Sequence, residues 1–381
     1  MTSALFLPPC LLGLLQFGAP RAVPAAASPV ARMNQNVGGL FEEAAEARDI
    51  FLRATQDLFR GHAPTEPLLD KSKRHHRGDQ AVPAHWQPAP AAGGLRTLRS
   101  EVPGLMEMAR LNTLPQGTGL VALGAFGARR TMRAPQLVAG RLCLSAMLTA
   151  ITTSGSMLIN DYHDHKLGVD NAQTKPGRPL VTGEVRPATV KLVLKWAYAT
   201  HLSLLCLVDS VLARLWVLAS TLLTYLYSVH LKPVTGIKNL TCATIVAMAV
   251  GLGAIAVGGG ATSLRAVWRP MACVFGLICH REMLMDIGDA AGDRMAGVRT
   301  VAVAVGARRA LLASLLPLAA AVAAATTAPG KGAAVAACGA LLLQGALALS
   351  ALARGFTRTS LSRAVELAPS CLLVCLCALT L

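Results

Sequence analysis

Two acidic stretches, each placed at the end of an apolar run, hold the residues with the most chemical capacity in this sequence. The first reads Asn160-Asp161-Tyr162-His163-Asp164-His165-Lys166-Leu167-Gly168-Val169-Asp170. If a helix continues through it, Asn160 and Asp164 share one face and Asp161 stands beside Asp164. The second reads Asp286-Ile287-Gly288-Asp289-Ala290-Ala291-Gly292-Asp293, with carboxylates at i, i+3 and i+7 on one helical face. A carboxylate at mid-bilayer costs about 2.5–3.5 kcal/mol on insertion scales, and less near a helix end. Three on one face also repel each other. A bound divalent cation removes that penalty. Mg2+ prefers carboxylate oxygens completed by waters and substrate phosphates to a closed protein cage. Two facing clusters of this kind predict Mg2+ bridged by a diphosphate; two solvated, inert acidic loops are the plain alternative.

The elements that must position these residues are membrane helices. The chain has 381 residues, 53% hydrophobic and only 15% charged, with a mean hydropathy of +0.49. A soluble domain usually carries about 25% charged residues. From Leu105 onward, apolar stretches of spanning length follow one another, each needing roughly 20 residues to cross the hydrocarbon core. Nine spans are expected, near 105–128, 136–160, 188–208, 211–230, 239–258, 264–285, 307–327, 332–353 and 361–381. The fold class is therefore all-α, a polytopic membrane protein. The formal net charge of +16 belongs to loops and tails, where Lys and Arg set topology and meet anionic head groups. No basic stripe interleaved with aromatics accompanies it, which argues against a nucleic-acid partner. The ten cysteines include no CxxC pair and lie in apolar runs, so they are expected to pack as small apolar residues.

Residues 1–100 differ from the rest. Residues 1–35 hold a short apolar run from Leu5 to Phe17 and small residues ending at Ala25-Ala26-Ala27, which resembles a signal-peptide core leading into a basic presequence. Phe17-Gly18-Ala19-Pro20 after that core is similar to a bipartite plastid leader; a mitochondrial presequence or an ordinary tail is the alternative. Residues 36–100 read as a basic, partly disordered extension and linker. Within it Leu40 to Arg60 suits an amphipathic helix, Lys71 to Arg77 forms a basic cluster, and 81–94 is rich in Pro, Ala and Gly.

The pattern Asn-Asp-x-x-Asp closing the second span, with Asp-x-x-Asp-x-x-x-Asp closing the sixth, resembles the paired motifs of the UbiA superfamily of intramembrane aromatic prenyltransferases. Further matches surround them: Arg178-Pro179-Leu180 with Gly183, Leu226-Tyr227-Ser228 through Lys232, His280-Arg281-Glu282, and Gly297-Val298-Arg299-Thr300. The similarity covers residues 101–381. One departure is the commonest third acidic position of the first motif, held here by Gly168; the nearest carboxylate is Asp170, and a similar Gly-x-Asp ending occurs in naphthoate-prenylating members.

The resemblance implies nine helices around a central cavity, with the motifs facing each other near one membrane surface. It implies Mg2+ on Asn160, Asp161, Asp164, Asp170, Asp286, Asp289 and Asp293, with Asp161, Asp164, Asp289 and Asp293 catalytic. Arg178, Lys232 and Arg281 are the candidate diphosphate clamps, Arg110 and Lys238 being secondary. Tyr162 and Tyr227 are candidates to shape the pocket or stabilise a cation through their rings. His163 and His165 are expected to face the loop. The implied substrates are a prenyl diphosphate (geranylgeranyl, phytyl or similar) and a lipophilic acceptor in lipoquinone, chlorophyll or prenyl-lipid synthesis. A plastid membrane suits the leader, with the mitochondrial inner membrane as the other location. Intramembrane carboxylates also mark ion pathways, so a cation-coupled transporter is the rival reading, and an intramembrane terpene cyclase a third.

Overall fold

The computed structural model describes residues 98–132, 139–173, 175–232, 234–258, 260–295 and 297–381. The leader, the 40–60 helix, the basic cluster and the linker lie outside the described residues. A short helix α1 (Leu98–Ala109) leads through a 3₁₀ turn into α2 (Leu114–Met132). Then follow α3 (Ala139–Lys166), α4 (Pro187–Cys206) and α5 (Val211–Leu226), which runs into a π turn at Tyr227–Leu231. Next come α6 (Ile237–Ala256), the short α7 (Ala261–Ala266), and α8 (Trp268–Met295). A short α9 (Val301–Val305) precedes α10 (Ala307–Thr326), α11 (Lys331–Ala353) and α12 (Arg358–Thr380).

Among the described residues, a long helix stands at each of the nine expected positions. Six of them, α3, α5 with its π turn, α6, α10, α11 and α12, are long and apolar enough to cross a membrane by length and composition. The first expected span begins late, at Leu114. Arg110 takes a left-handed backbone (φ 47°) that breaks the helix and sets α1 apart. In contrast α3 and α8 run to 28 residues, because each carries its acidic motif as a continuous helical extension.

Small residues bring the central helices together, as expected where lipid gives no hydrophobic drive between them. A Cβ on Gly253 of α6 would fall 1.8 Å from the Val121 carbonyl oxygen of α2, and one on Gly124 would fall 2.0 Å from that of Val250. Helix α8 fills the centre, packing Cys273, Val274, Leu277 and Cys279 against α6, α10 and α12. Cys273, Cys279, Cys371 and Cys375 are buried and free, as packing residues should be. The outward leucines and valines, such as Leu316 and Val335 at 73% exposure, present an apolar surface suited to lipid.

Candidate functional site

The first motif is helical through Lys166 and then turns back on itself. Gly168 adopts φ 73°, a conformation that costs a glycine little and other residues about 1 kcal/mol or more. The amides of Val169 and Asp170 both donate to the Asp164 carbonyl, a helix-ending pattern that needs a left-handed residue. This turn returns the Asp170 carboxylate to the site, where it is buried at 3% exposure. A carboxylate at position 168 would head outward, since Gly168 itself is exposed.

Asp161 and Asp164 are buried beside it, and each carries a cation. Arg110 donates to Asp161 at 3.2 Å, and Arg178 lies 3.5 Å from its other oxygen. Lys232 reaches the Asn160 amide oxygen at 2.8 Å and Asp164 at 2.6 Å. Asn160 also donates to Asp164 at 3.2 Å. Asp170 pairs with Lys175 at 2.7 Å and more distantly with Arg178 at 3.9 Å. The π turn explains the place of Lys232. Its amide bonds the Tyr227 carbonyl five residues back, so the wider turn sets the side chain where a regular helix would not.

The second motif occupies the last turns of α8. Asp286 is buried and accepts from Lys238 at 2.5 Å and from Asn239 at 2.9 Å. Asp289 is exposed and Asp293 half-buried, further along the same face. The two motifs share electrostatic neighbours. Tyr227 lies near Asp164 of the first and Asp286 of the second, and Lys175 of the first loop lies near Asp289. A small cleft beside the first motif is lined by Met108, Asp161, His165, Asp170, Arg178 and Leu180.

Of the expected clamps, Arg178 and Lys232 stand on the first motif. Arg281 is paired differently. It lies in the interior at 5% exposure with the adjacent Glu282 at 3.4 Å. The secondary candidates, Arg110 and Lys238, contact motif carboxylates directly. Tyr162 is half-buried against the cluster of Met108 and Val185, with Lys191 5.5 Å over its ring and His163 edge-on against it. Of the two, Tyr227 is the one near carboxylates of both motifs. Asn239 and Lys175 are not among the residues expected from the sequence. Asn239 had a legible signal, since Lys238-Asn239 is a polar pair in the first turn of an apolar helix.

Among the described residues, no group of three or more His, Cys, Asp or Glu converges closely enough to cage a metal. The donors are oxygens in two sets: the Asn160 amide with the carboxylates of Asp161 and Asp164 at the end of α3, and the Asp286 carboxylate on α8. An open, hard-oxygen set of this kind fits Mg2+, which keeps waters and substrate phosphates in its shell. The interleaved Lys and Arg offer the other sign of charge to phosphate oxygens.

Known proteins share this fold and part of this sequence. A relative from Natronomonas pharaonis, a digeranylgeranylglyceryl phosphate synthase, is 30% identical over 212 residues, 55% of this chain and 72% of its own. A solved structure of a digeranylgeranylglyceryl phosphate synthase shares the fold with a TM-score of 0.59 at 18% identity, over 74% of this chain and 97% of its own. A UbiA homologue from Archaeoglobus fulgidus, bound to DMAPP and Mg2+, does so with a TM-score of 0.52 at 16% identity, over 71% of this chain and 99% of its own. The family described as UbiA prenyltransferases matches residues 120–368, well over half the chain. With two acidic helix ends lined by cations and a bundle of this topology, the chain belongs to the UbiA prenyltransferase family of integral membrane enzymes.

Proposed function

We propose that this prenyltransferase binds the diphosphate of its prenyl donor between the ends of α3, α5, α6 and α8, with Mg2+ on the motif carboxylates. The observation that carries the reading is the alternation of charge there. Buried carboxylates at 161, 164 and 286 each contact a Lys or Arg. A magnesium diphosphate offers a cation to the carboxylates and an anion to Arg110, Arg178, Lys232 and Lys238. Asn160, Asp161 and Asp164 would hold the ion on one side, and Asp286, Asp289 and Asp293 on the other, with Asp170 supporting through Arg178 and Lys175. When bound, Mg2+ supplies charge neutralisation that makes diphosphate a better leaving group.

The protein's own residues then perform positioning and electrostatic work. Lys232 and Lys238 offer donors to the departing oxygens, and Arg110 with Arg178 adds planar, fork-shaped donors at the first motif. As the allylic C–O bond breaks, positive charge develops on the prenyl carbon. Tyr227, near carboxylates of both motifs, is the candidate to stabilise such a charge through its ring. The acceptor nucleophile forms the new bond to the prenyl carbon, and its proton passes to the released diphosphate. Excluding bulk water by the surrounding helices protects the cation from hydrolysis.

For the acceptor, the relatives favour a prenylglycerol phosphate, since the 30% identical protein carries that activity in its name. Lipoquinone and chlorophyll acceptors rest on the likeness of the motifs to those branches, and a plastid membrane on the leader-like residues 1–35; neither gains support from an archaeal relative. The catalytic unit is proposed to be residues 101–381. The test incubates the detergent-solubilised protein with Mg2+, labelled geranylgeranyl diphosphate and separate acceptors: prenylglycerol phosphate, naphthoate, hydroxybenzoate, homogentisate and chlorophyllide. An EDTA-sensitive prenylated glycerol phosphate is expected. Product with another acceptor instead overturns the acceptor choice, and diphosphate release without acceptor overturns transfer in favour of cyclisation.

A further inference from the structure

The N-terminal helix α1 contributes more to the site than a chain entry. Its Glu101 is wholly buried, and a buried carboxylate must be paired to be tolerated. Its partner is Arg186, the residue just before α4, which donates its backbone amide at 3.1 Å and its Nε at 2.5 Å. One turn later Gly104 meets the same loop so closely that a Cβ would fall 2.6 Å from Val185 Cγ2. Met108 continues the contact, packing with Leu158, Leu180, Val185 and Val190 and forming one wall of the cleft beside Asp161. At the end of this seam the left-handed Arg110 sends its guanidinium to Asp161. The loop that α1 grips, between α3 and α4, also carries Arg178, the other cation on Asp161.

We propose that Glu101 is a positioning residue for the diphosphate site: it fastens α1 to the loop before α4 and thereby holds Arg110 and Arg178 together over Asp161. This rests on the diphosphate reading above. Glu101 contacts Arg186 and not the motif residues, and stands nine positions before Arg110, the residue of this seam that reaches Asp161. Its effect should therefore fall on diphosphate affinity, whereas a purely structural role would lower stability and leave affinity alone.

The test uses the full chain in detergent and reads the KM for geranylgeranyl diphosphate, the inhibition constant of inorganic pyrophosphate with Mg2+, and the thermal transition. Glu101→Gln is expected to raise both constants about 10-fold, in the range typical of supporting-shell losses, with kcat and the acceptor KM within about twofold. Glu101→Asp should recover part of the affinity. Adding Glu101→Gln to Arg178→Ala should cost little beyond Arg178→Ala alone, because the two act through one element. Gly104→Val breaks the same seam without changing charge and should give the same affinity loss, which covers the case in which Glu101→Gln does not fold. Unchanged pyrophosphate inhibition in both folded variants, or full additivity with Arg178→Ala, overturns the proposal. If pyrophosphate does not inhibit the wild-type protein at all, the diphosphate reading itself fails.

Discussion

At the residue scale, the site is a set of carboxylates whose burial is made tolerable by neighbouring charges. Asp161→Asn or Asp289→Asn keeps size and removes a charge proposed to bind Mg2+. Supporting ligands cost 10–100-fold when lost, so either change should lower turnover by about 100-fold or more while membrane insertion stays intact. Prenyl transfer and carbonate extraction measure the two; near-normal transfer in either variant would remove that residue from the metal set. Arg281 separates two roles cleanly. Its ion pair with Glu282 lies in the interior, and breaking a buried pair from one side costs about 3–5 kcal/mol. Arg281→Met should therefore destabilise strongly, and Arg281→Met with Glu282→Met should recover most of the loss in a thermal melt. If the double variant is stable but its KM for prenyl diphosphate has risen about 10-fold, Arg281 acts on substrate as the sequence first implied.

At the element scale, two local devices set the geometry. The π turn at 227–231 places one extra residue in the end of α5, and Lys232 owes its aim to it. Deleting Val229 allows a regular helix there and rotates Lys232 by about 100° relative to α5. Activity should then be lost with the bundle intact, seen as an unchanged elution profile without product. The other device is the α2–α6 contact, where backbones touch at Gly124 and Gly253. Gly253→Ala puts a methyl on the Val121 carbonyl. Overpacking of this kind costs about 1–3 kcal/mol, and a lower melting temperature is the expected result. An unchanged melt would mean that the two helices separate easily, against the tight seam described here.

At the scale of the whole molecule, the sequence by itself determined the class of protein and the nature of its chemistry. Among the described residues, hydropathy located nine helical segments, most within a few residues, because spanning length is imposed by the bilayer. The start of the first and the end of the sixth, set by the break at Arg110 and by the acidic extension of α8, were off by nine and ten residues. The residue types and spacing of 160–170 and 286–293 identified two carboxylate clusters, because helical periodicity needs no tertiary information. Removal of residues 1–85 should accordingly spare prenyl transfer; a dead but correctly inserted truncation would refute that division of the chain. Only the tertiary structure decided which cation meets which carboxylate. Loop cations look alike in sequence, so Lys238 and Arg110 ranked below Arg281. Yet the helix break at Arg110 and the start of α6 bring the first two to Asp161 and Asp286, while Arg281 turns inward to Glu282. Asp170 became intelligible for the same reason: the left-handed turn at Gly168 returns its carboxylate to the site. The grip of α1 on the loop before α4 spans 85 positions between Glu101 and Arg186. No local pattern announces such a contact, because it exists only once the helices have packed.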